Sequence, residues 1–290
     1  MVSSHVSDTM LFCVITAVFT VHTKWSRFPK LGRDITQALP PEMRTRPTLS
    51  FSGCGVAYTF YMGVLDYVDE TFDCSGVNYA VTSGSAWAIP PMLFGRRPKQ
   101  WHDDGWGDCY KHYTKQRFSF FLQSNSYMRK ILYDYLPDDA YKLCSNRLIV
   151  ILTKWSWVEC RFVQDVVYQY ESNDDLVDAL IGTCSFPGLF RHFQYHHGKV
   201  CWDGCGTNHL PVVGTVTTTH RLVGRRADVN TWNTFPIRDI VKIADAFEPF
   251  HTLWYEKGHA VAKTNHDVYV SNGMVPKCCP TPITSNTGWD

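Results

Sequence analysis

The sequence predicts an α/β fold in which a mostly parallel central sheet carries helices on both faces. Residues 147–153 (RLIVILT) form a near-continuous apolar run, which is typical of a strand buried on both faces. Other strand-like segments alternate along the chain with segments of helical periodicity, as in α/β domains. The 290 residues, 44% of them hydrophobic, suffice for one large domain with a substantial core.

Composition and charge narrow the classes of function. The net charge of +1 gives no general reason to expect a nucleic-acid partner. The 11 cysteines are mostly scattered singly and include no CxxC pair. That distribution favours a reduced, intracellular protein over a disulfide scaffold. We therefore expect a cytoplasmic protein.

The longest apolar run, residues 10–21, is shorter than the ~20 residues that cross a bilayer. It also lacks the basic residues that precede the apolar part of a signal peptide. Several basic residues follow it: Lys24, Arg27, Lys30, Arg33, Arg44 and Arg46. Two interpretations stay open, a segment lying on the anionic cytoplasmic face of a membrane and a buried N-terminal helix or strand. Residues 23–47 contain four prolines and are expected to be an irregular basic linker.

The predicted elements then follow in order. Strands are expected at 48–52, 77–82, 147–153, 160–170 and 199–202. Helices are expected after Gly55, at 128–135 before Pro137, and at 173–182 with Ser172 or Asn173 near the cap. Residues 96–127 give no clear pattern. Because ligands of such sheets bind beyond the carboxyl ends of strands, the segments after three of these strands are the candidates for chemistry.

Ser83 follows the second predicted strand and precedes small residues, Gly84, Ser85 and Ala86. A serine in a tight strand-to-helix turn exposes its hydroxyl above a helix N-terminus, as a nucleophile requires. Ser83 is therefore the candidate nucleophile, with Gly84 and Ser85 supporting the turn. A simple helix cap is the plainer interpretation, and Ser85 is the alternative nucleophile if the turn is shifted by two residues.

The first predicted strand runs into a glycine loop, Gly53-Cys54-Gly55, followed by Val56. Such a loop turns successive backbone N–H groups toward one point and can hold an oxyanion. A dinucleotide-binding GxGxxG is excluded because Tyr58 stands where the third glycine is required. We therefore expect residues 53–56 to form an oxyanion hole.

Asp203 follows the last predicted strand and precedes Gly204, an arrangement in which the carboxylate can take a proton from a serine directly. An ordinary Asp-Gly turn is the plainer alternative. A zinc site would instead collect the nearby histidines and cysteines: His192, His196, His197, Cys201, Cys205 and His209. No spacing among them matches a standard zinc motif.

Four segments together resemble the animal patatin-like phospholipases, the group that contains adipose triglyceride lipase. They are residues 50–64 (SFSGCGV to YMGV), residues 135–154 (YLPDDA, LCS, RL and LTK), residues 184–187 (CSFP) and residues 203–211 (DG, N and LP). The resemblance covers roughly residues 48–220. It implies a three-layer patatin-like fold, a Ser–Asp dyad of Ser83 and Asp203, and hydrolysis of fatty-acyl esters without a metal or other cofactor. A lipid substrate at a membrane or lipid-droplet surface is then the expected partner, together with a possible protein co-activator.

The sequence also departs from the family pattern. Val81 replaces the glycine of a GxSxG elbow, and a β-branched residue is expected to crowd that turn. Pro90 and Pro91 interrupt the following helix. An inactive homologue that binds lipid or a protein is therefore the alternative to an active lipid acyl hydrolase.

The predicted domains are residues 1–47, an N-terminal segment with a linker, residues 48–222, the hydrolase domain, and residues 223–290, an extension. The extension interleaves basic and aromatic residues and ends in Cys278-Cys279-Pro280. It is expected to be an ordinary solvated face over a satellite core, with a lipid-surface patch as the alternative.

Overall fold

The computed structural model describes residues 32–55, 57–101, 103–104, 118–186, 194–214, 216–222, 227–230 and 248–277. Predictions for residues 1–31, Val56, Pro187, His192, most of the basic and aromatic extension, and Cys278-Cys279-Pro280 lie outside these ranges. No helix within them is both long enough and apolar enough to span a membrane. The seven cysteines within them are free thiols.

The described elements confirm a mixed α/β architecture. The strands are β1 Gly32–Asp34, β2 Thr48–Phe51, β3 Phe72–Asp73, β4 Asn78–Val81, β5 Leu148–Ser156, β6 Arg161–Val167, β7 Gln194–His196, β8 Lys199–Trp202, β9 Leu210–Val212, β10 Thr217–Arg221, β11 Val229–Asn230 and β12 Val275–Pro276. The helices are α1 Pro41–Arg44, α2 Tyr58–Thr71, α3 Pro90–Leu93, α4 Pro98–Trp101, α5 Phe118–Tyr135, α6 Ala140–Cys144, α7 Asn173–Cys184, α8 Glu248–Thr264 and α9 His266–Ser271. Short 3₁₀ turns lie at Thr36–Ala38, Ser83–Trp87 and Gly204–Gly206.

The central sheet is mostly parallel, as predicted. Its order is β11-β10-β2-β4-β5-β8-β7, and β11, β10, β2, β4 and β5 pair in parallel. The strands β6 and β8 are both antiparallel to β5. Three strands of this sheet, β7, β10 and β11, are not among the strands predicted from the sequence.

The strands β4 and β8 approach one another along the same edge of β5. The strand β4 pairs with β5 only as far as Val81 opposite Val150, while β8 pairs at Thr153 and Lys154 from the opposite direction. Because β6 occupies the other edge of β5 over the same residues, β8 must use the edge that β4 leaves. The carboxyl ends of β4 and β8 therefore point at each other, and the residues that follow them meet.

Two apolar clusters cover the two faces of the sheet. The larger one joins one face to α2, α7, α8 and α9, and includes Phe51, Val81 and Val150. Ala80 and Ile149 belong to the smaller one, on the other face. Alternate residues of a strand point to opposite faces, which explains this division.

The segment expected to be an irregular linker is ordered over residues 32–47, which corrects that prediction. The strand β1 pairs in parallel with β9, and α1 follows it. Ile35, Leu39 and Met43 are buried in the smaller cluster. Among the described elements, α1 is the helix on this face, while the long helices pack on the other. The segment is ordered because burial of three apolar side chains outweighs the irregularity that its prolines impose.

The helices α2 and α8 pack with their backbones in close contact. A Cβ atom added to Gly63 would lie 1.9 Å from the carbonyl oxygen of Tyr255, and one added to Gly258 would lie 2.0 Å from that of Phe60. Trp254 of α8 is buried beside Phe60, with ring centroids 6.4 Å apart. The two glycines therefore allow this part of the 223–290 segment to join the main core.

Candidate active site

Ser83 lies in a sharp turn between β4 and the 3₁₀ turn that follows it. Its φ of +58° is in the left-handed region, which costs a non-glycine residue roughly 1–2 kcal/mol. Val81 does not block the turn, because it is accommodated as the last residue of β4, opposite Phe51 and Val150. The sequence prediction of a strand-to-turn junction at this position agrees with the structure.

Ser85 holds the turn closed. Its hydroxyl accepts a hydrogen bond from the N–H of Thr82 at 3.0 Å and lies 2.8 Å from the carbonyl oxygen of Thr82 and 3.2 Å from that of Phe51. The side chain is fully buried, and all three of these partners are backbone groups. The structure thus places Ser85 as a support of the turn, with its hydroxyl directed at backbone groups.

Ser83 and Asp203 are hydrogen-bonded although they are 120 residues apart. The Oγ atom of Ser83 donates to Oδ2 of Asp203 at 2.6 Å. Both residues are buried, with 8% and 6% of their surface exposed. A hydroxyl and a carboxylate at this distance satisfy the geometric requirement for direct proton transfer.

The backbone and the second carboxylate oxygen of Asp203 fix its orientation. Its Oδ1 accepts the N–H of Cys205 at 2.9 Å, and its own N–H donates to the carbonyl of Ser185 at 3.0 Å. The hydroxyl of Thr153 donates to its carbonyl oxygen at 2.8 Å. Burial raises the pKa of Asp203 above its usual range, although the bonds from Ser83 and Cys205 oppose that rise.

The C-terminal end of α7 fixes the backbone of Ser83. The N–H of Ser83 donates to Oγ1 of Thr183 at 2.9 Å, and that hydroxyl donates to the carbonyl of Ile151 at 2.6 Å. The thiol of Cys184 lies 3.1 Å from the carbonyl oxygen of Ser83. The helix therefore links the serine turn to the middle of β5.

The glycine loop lies directly against both halves of the site. A Cβ atom on Gly53 would be 2.3 Å from the sulfur of Cys205 and 3.2 Å from the Cβ of Ser83. Gly55 has a φ of +58°, which favours glycine. The N–H of Gly53 donates to the carbonyl of His209 at 3.3 Å, so this amide is engaged within the protein.

The amides of Cys54 and Gly55 donate to no acceptor within the described part of the chain, and Val56 lies outside it. On the Asp203 side of the site, Gly204 lets the chain after β8 lie against β5, because a Cβ atom at Gly204 would be 2.2 Å from the carbonyl oxygen of Ile151. Of the predicted loop residues, Cys54 and Gly55 thus keep backbone donors free of described partners.

Three thiols and an imidazole lie around the hydrogen-bonded pair of Ser83 and Asp203. Burial raises the pKa of Cys54, Cys184 and Cys205 well above the usual range for a thiol, and the charge of Asp203 raises each further. These groups are therefore neutral thiols at physiological pH and poor nucleophiles. The Nδ1 atom of His209 lies 3.1 Å from the sulfur of Cys205.

The residues of the zinc alternative do not form one group. Cys205 and His209 lie beside Ser83 and Asp203, whereas His196 and His197 approach Asp175. Among the described residues, the ligand atoms of Asp175, His196 and His197 lie within 4.8 Å of one another, which makes them the candidate metal cluster. The Lys154 ammonium 3.1 Å from Nδ1 of His196 opposes a bound cation there.

Two residues that contact the site, Thr183 and Thr153, have no role among the sequence predictions. Thr183 and Thr153 are buried polar residues within otherwise apolar segments, and that pattern was the available signal. His209, predicted only as a ligand of the alternative zinc site, lies beside Cys205 and Gly53.

Comparison with known proteins relates a short segment of the chain to a lipid enzyme. No family model matches the chain. A curated mouse (Mus musculus) protein described as omega-hydroxyceramide transacylase is 40% identical over 60 residues, which are 21% of this chain and 9% of the mouse protein. The chain is thus similar, over a short segment, to a lipid-modifying enzyme, and this segment spans a small part of that enzyme.

Proposed function

We propose that this chain is a lipid acyl hydrolase with a patatin-like fold, in which Ser83 is the nucleophile and Asp203 the base. The 2.6 Å hydrogen bond between the buried Ser83 hydroxyl and the Asp203 carboxylate carries the proposal. The mostly parallel sheet, the family resemblance and the mouse relative support it.

In the first step Ser83 Oγ attacks the ester carbonyl carbon and its proton passes to Oδ2 of Asp203. The amides of Cys54 and Gly55 hold the oxyanion of the tetrahedral intermediate. The intermediate collapses, the alcohol leaves with the proton from Asp203, and an acyl-Ser83 ester remains.

In the second step water attacks the acyl-Ser83 ester and gives a proton to Asp203. Collapse of the second intermediate returns that proton to Ser83 and releases the fatty acid. Thr183 and Cys184 keep the Ser83 backbone in place, and Ser185 and Cys205 do the same for Asp203. These contacts replace the orienting third residue of a triad.

A second candidate is acyl transfer, in which a lipid hydroxyl takes the place of water in the second step. The name of the mouse relative, a transacylase, favours it. The first step is identical, so the two candidates differ only in the acceptor.

The substrate in this proposal is a fatty-acyl ester at a membrane or lipid-droplet surface, met by a cytoplasmic, peripherally bound protein. A protein co-activator remains part of the hypothesis, as do the oxyanion role of Val56 and the domain boundaries predicted from the sequence.

The test compares wild type with Ser83→Ala, Asp203→Asn and Ser85→Ala on a soluble nitrophenyl ester and on phosphatidylcholine vesicles. We expect Ser83→Ala and Asp203→Asn to lose activity by at least about 10³-fold with folding intact. Ser85→Ala keeps the reacting groups and should retain about a tenth of the rate or more.

Two results would overturn the assignment. An inactive wild type would favour the alternative of a homologue that only binds lipid or protein. Full activity in Ser83→Ala would place the chemistry on another residue. Adding a lipid alcohol and measuring ester product against free fatty acid separates transfer from hydrolysis.

A further inference from the structure

The hairpin between β5 and β6 presents large apolar side chains to solvent. Trp157 and Val158 at its tip are 83% and 96% exposed, and Phe162 at the start of β6 is 52% exposed. Single exposed apolar side chains are common on protein surfaces, but several large ones side by side mark an interaction surface.

The tip has a defined conformation. The N–H of Glu159 donates to the hydroxyl of Ser156 at 3.2 Å, and Nε of Arg161 donates to the Glu159 carboxylate at 2.6 Å. Cys160 closes the turn with a φ of +47°. The Glu159–Arg161 pair also cancels its own charge, so the tip presents apolar side chains with little net charge.

Further aromatic residues extend the surface across neighbouring strands. Phe162 lies opposite Trp155, with ring centroids 5.1 Å apart, and contacts Trp202 at 4.9 Å. Tyr195 on β7, opposite Val200, is 55% exposed. We call these residues the aromatic platform: Trp155, Trp157, Val158, Phe162, Tyr195 and Trp202.

The platform lies at the edge of the sheet that holds the dyad. Asp203 directly follows Trp202, which pairs with Thr153 of β5. The strand β5 then continues to Ser156, so at ~3.3 Å per residue the tip extends roughly 10 Å beyond the level of Thr153. A flat surface that receives the tip therefore faces the end of the molecule where Ser83 and Asp203 lie.

We propose that the aromatic platform docks this protein on a phospholipid surface and brings the dyad to its substrate. This inference rests on the proposed function for its choice of partner. Tryptophan and tyrosine favour the interface between headgroups and acyl chains, since their rings are apolar and carry one polar group. The exposed parts of Trp157, Val158, Phe162 and Tyr195 amount to roughly 600 Å² of mainly apolar surface, and burial of this surface at the boundary between headgroups and acyl chains favours binding.

The absence of net charge at the tip predicts how binding depends on lipid composition. Insertion of apolar side chains, unlike attraction of a polybasic segment, does not require anionic lipid. We therefore expect affinities for phosphatidylcholine vesicles and for vesicles with added phosphatidylserine to agree within about threefold.

The experiment measures co-sedimentation of the full chain with phosphatidylcholine vesicles in a Ser83→Ala background, which removes turnover. The test variant is Trp157→Ala with Val158→Asp. The matched control is Val275→Asp, because Val275 is 63% exposed on β12, away from the platform. We expect at least about a tenfold loss of vesicle affinity in the test variant and little change in the control.

Three results would overturn the proposal: unchanged vesicle binding in the test variant, equal loss in the Val275→Asp control, or a changed oligomeric state with vesicle binding intact. The last would identify the platform as a contact between protein chains. A thermal melt checks folding, which these exposed positions should not affect.

A second measurement uses the Ser83-containing protein. The Trp157→Ala, Val158→Asp variant should keep kcat/KM on a soluble ester within about twofold and lose about tenfold on vesicles. Failure of turnover on both substrates would count against the proposed hydrolase, whereas the vesicle-binding result would still decide the docking surface.

Discussion

Gly84 lies against the carbonyl oxygen of Gly55, so that the serine turn and the glycine loop touch through their backbones. A Cβ atom added to Gly84 would lie 2.0 Å from that oxygen and 3.0 Å from the nitrogen of Gly55. Real Cβ atoms do not approach a backbone this closely, so the two segments keep their relative position only while residue 84 is glycine. The proposed nucleophile and the proposed oxyanion donors are therefore fixed as one unit.

Gly84→Ala should consequently displace the Cys54–Gly55 amides from Ser83. We expect kcat on a soluble ester to fall by about 10²-fold or more, which is the effect of losing an oxyanion donor. Gly76→Ala is the control, because a Cβ at Gly76 meets nothing within 4 Å. Equal activity in both variants would contradict the proposed oxyanion loop.

Thr183 is expected to position Ser83 without reacting. Thr183→Val removes the acceptor of the Ser83 N–H and the donor to Ile151, leaving two buried backbone groups unpaired. We expect a stability loss of about 1–3 kcal/mol in urea unfolding and a lower kcat with little change in KM. Thr183→Ser keeps the hydroxyl and should restore kcat. A kcat in Thr183→Ser as low as in Thr183→Val would show that the methyl packing matters instead.

Asp203 should set the acid limit of activity. The carboxylate accepts the serine proton only when ionised, and burial raises its pKa above 3.8. The rate should therefore be lost, as pH falls, at a pH higher than an ordinary aspartate would give. A kcat/KM profile, which reports the pKa of the free enzyme, contradicts this expectation if its acid limb lies at or below the ordinary aspartate range.

The raised pKa of Asp203 also means that its ionised carboxylate destabilises the folded state. A raised folded-state pKa means that ionising the group destabilises the fold at pH values above it. Asp203→Asn removes that charge, so the variant should melt at a higher temperature than wild type at neutral pH while losing activity. A lower Tm in Asp203→Asn would show that its hydrogen bonds outweigh its desolvation.

His220 should make stability depend on pH independently of Asp203. It is fully buried between Phe51 and Tyr269, and its Nδ1 donates to the Ser50 carbonyl at 3.1 Å, which leaves Nε2 to accept the Tyr269 hydroxyl at 3.0 Å. Burial lowers its pKa from 6.5 to about 4.

Between these values the unfolded state binds more protons, so the free energy of unfolding should decrease as pH falls from about 6.5 to about 4, by on the order of 3 kcal/mol. His220→Phe keeps the stacked ring but cannot titrate. Urea unfolding of both proteins at several pH values should show a shallower dependence in the variant, and identical slopes would contradict the assignment.

The buried strands and the helix at 173–184 could be predicted because their apolar patterns are local. Ser172 is the observed N-cap of that helix, accepting the N–H of Asp175 at 3.2 Å, so one of the two expected caps is the correct one. The order of residues 32–47 could not be predicted, because Ile35, Leu39 and Met43 are stabilised only by a sheet face formed from distant residues.

The sequence alone determined the α/β class, the mostly parallel sheet and the three segments that carry the candidate site. Only the tertiary structure decided that β8 runs antiparallel to β5 along the edge that β4 leaves, which brings Asp203 to Ser83. In the tertiary structure the Ser85 hydroxyl and the Gly53 N–H also donate hydrogen bonds to backbone carbonyls, and the aromatic platform stays exposed. Local residue patterns specify which segments become strands. The direction and edge of each strand depend on hydrogen bonds and packing between residues more than a hundred positions apart.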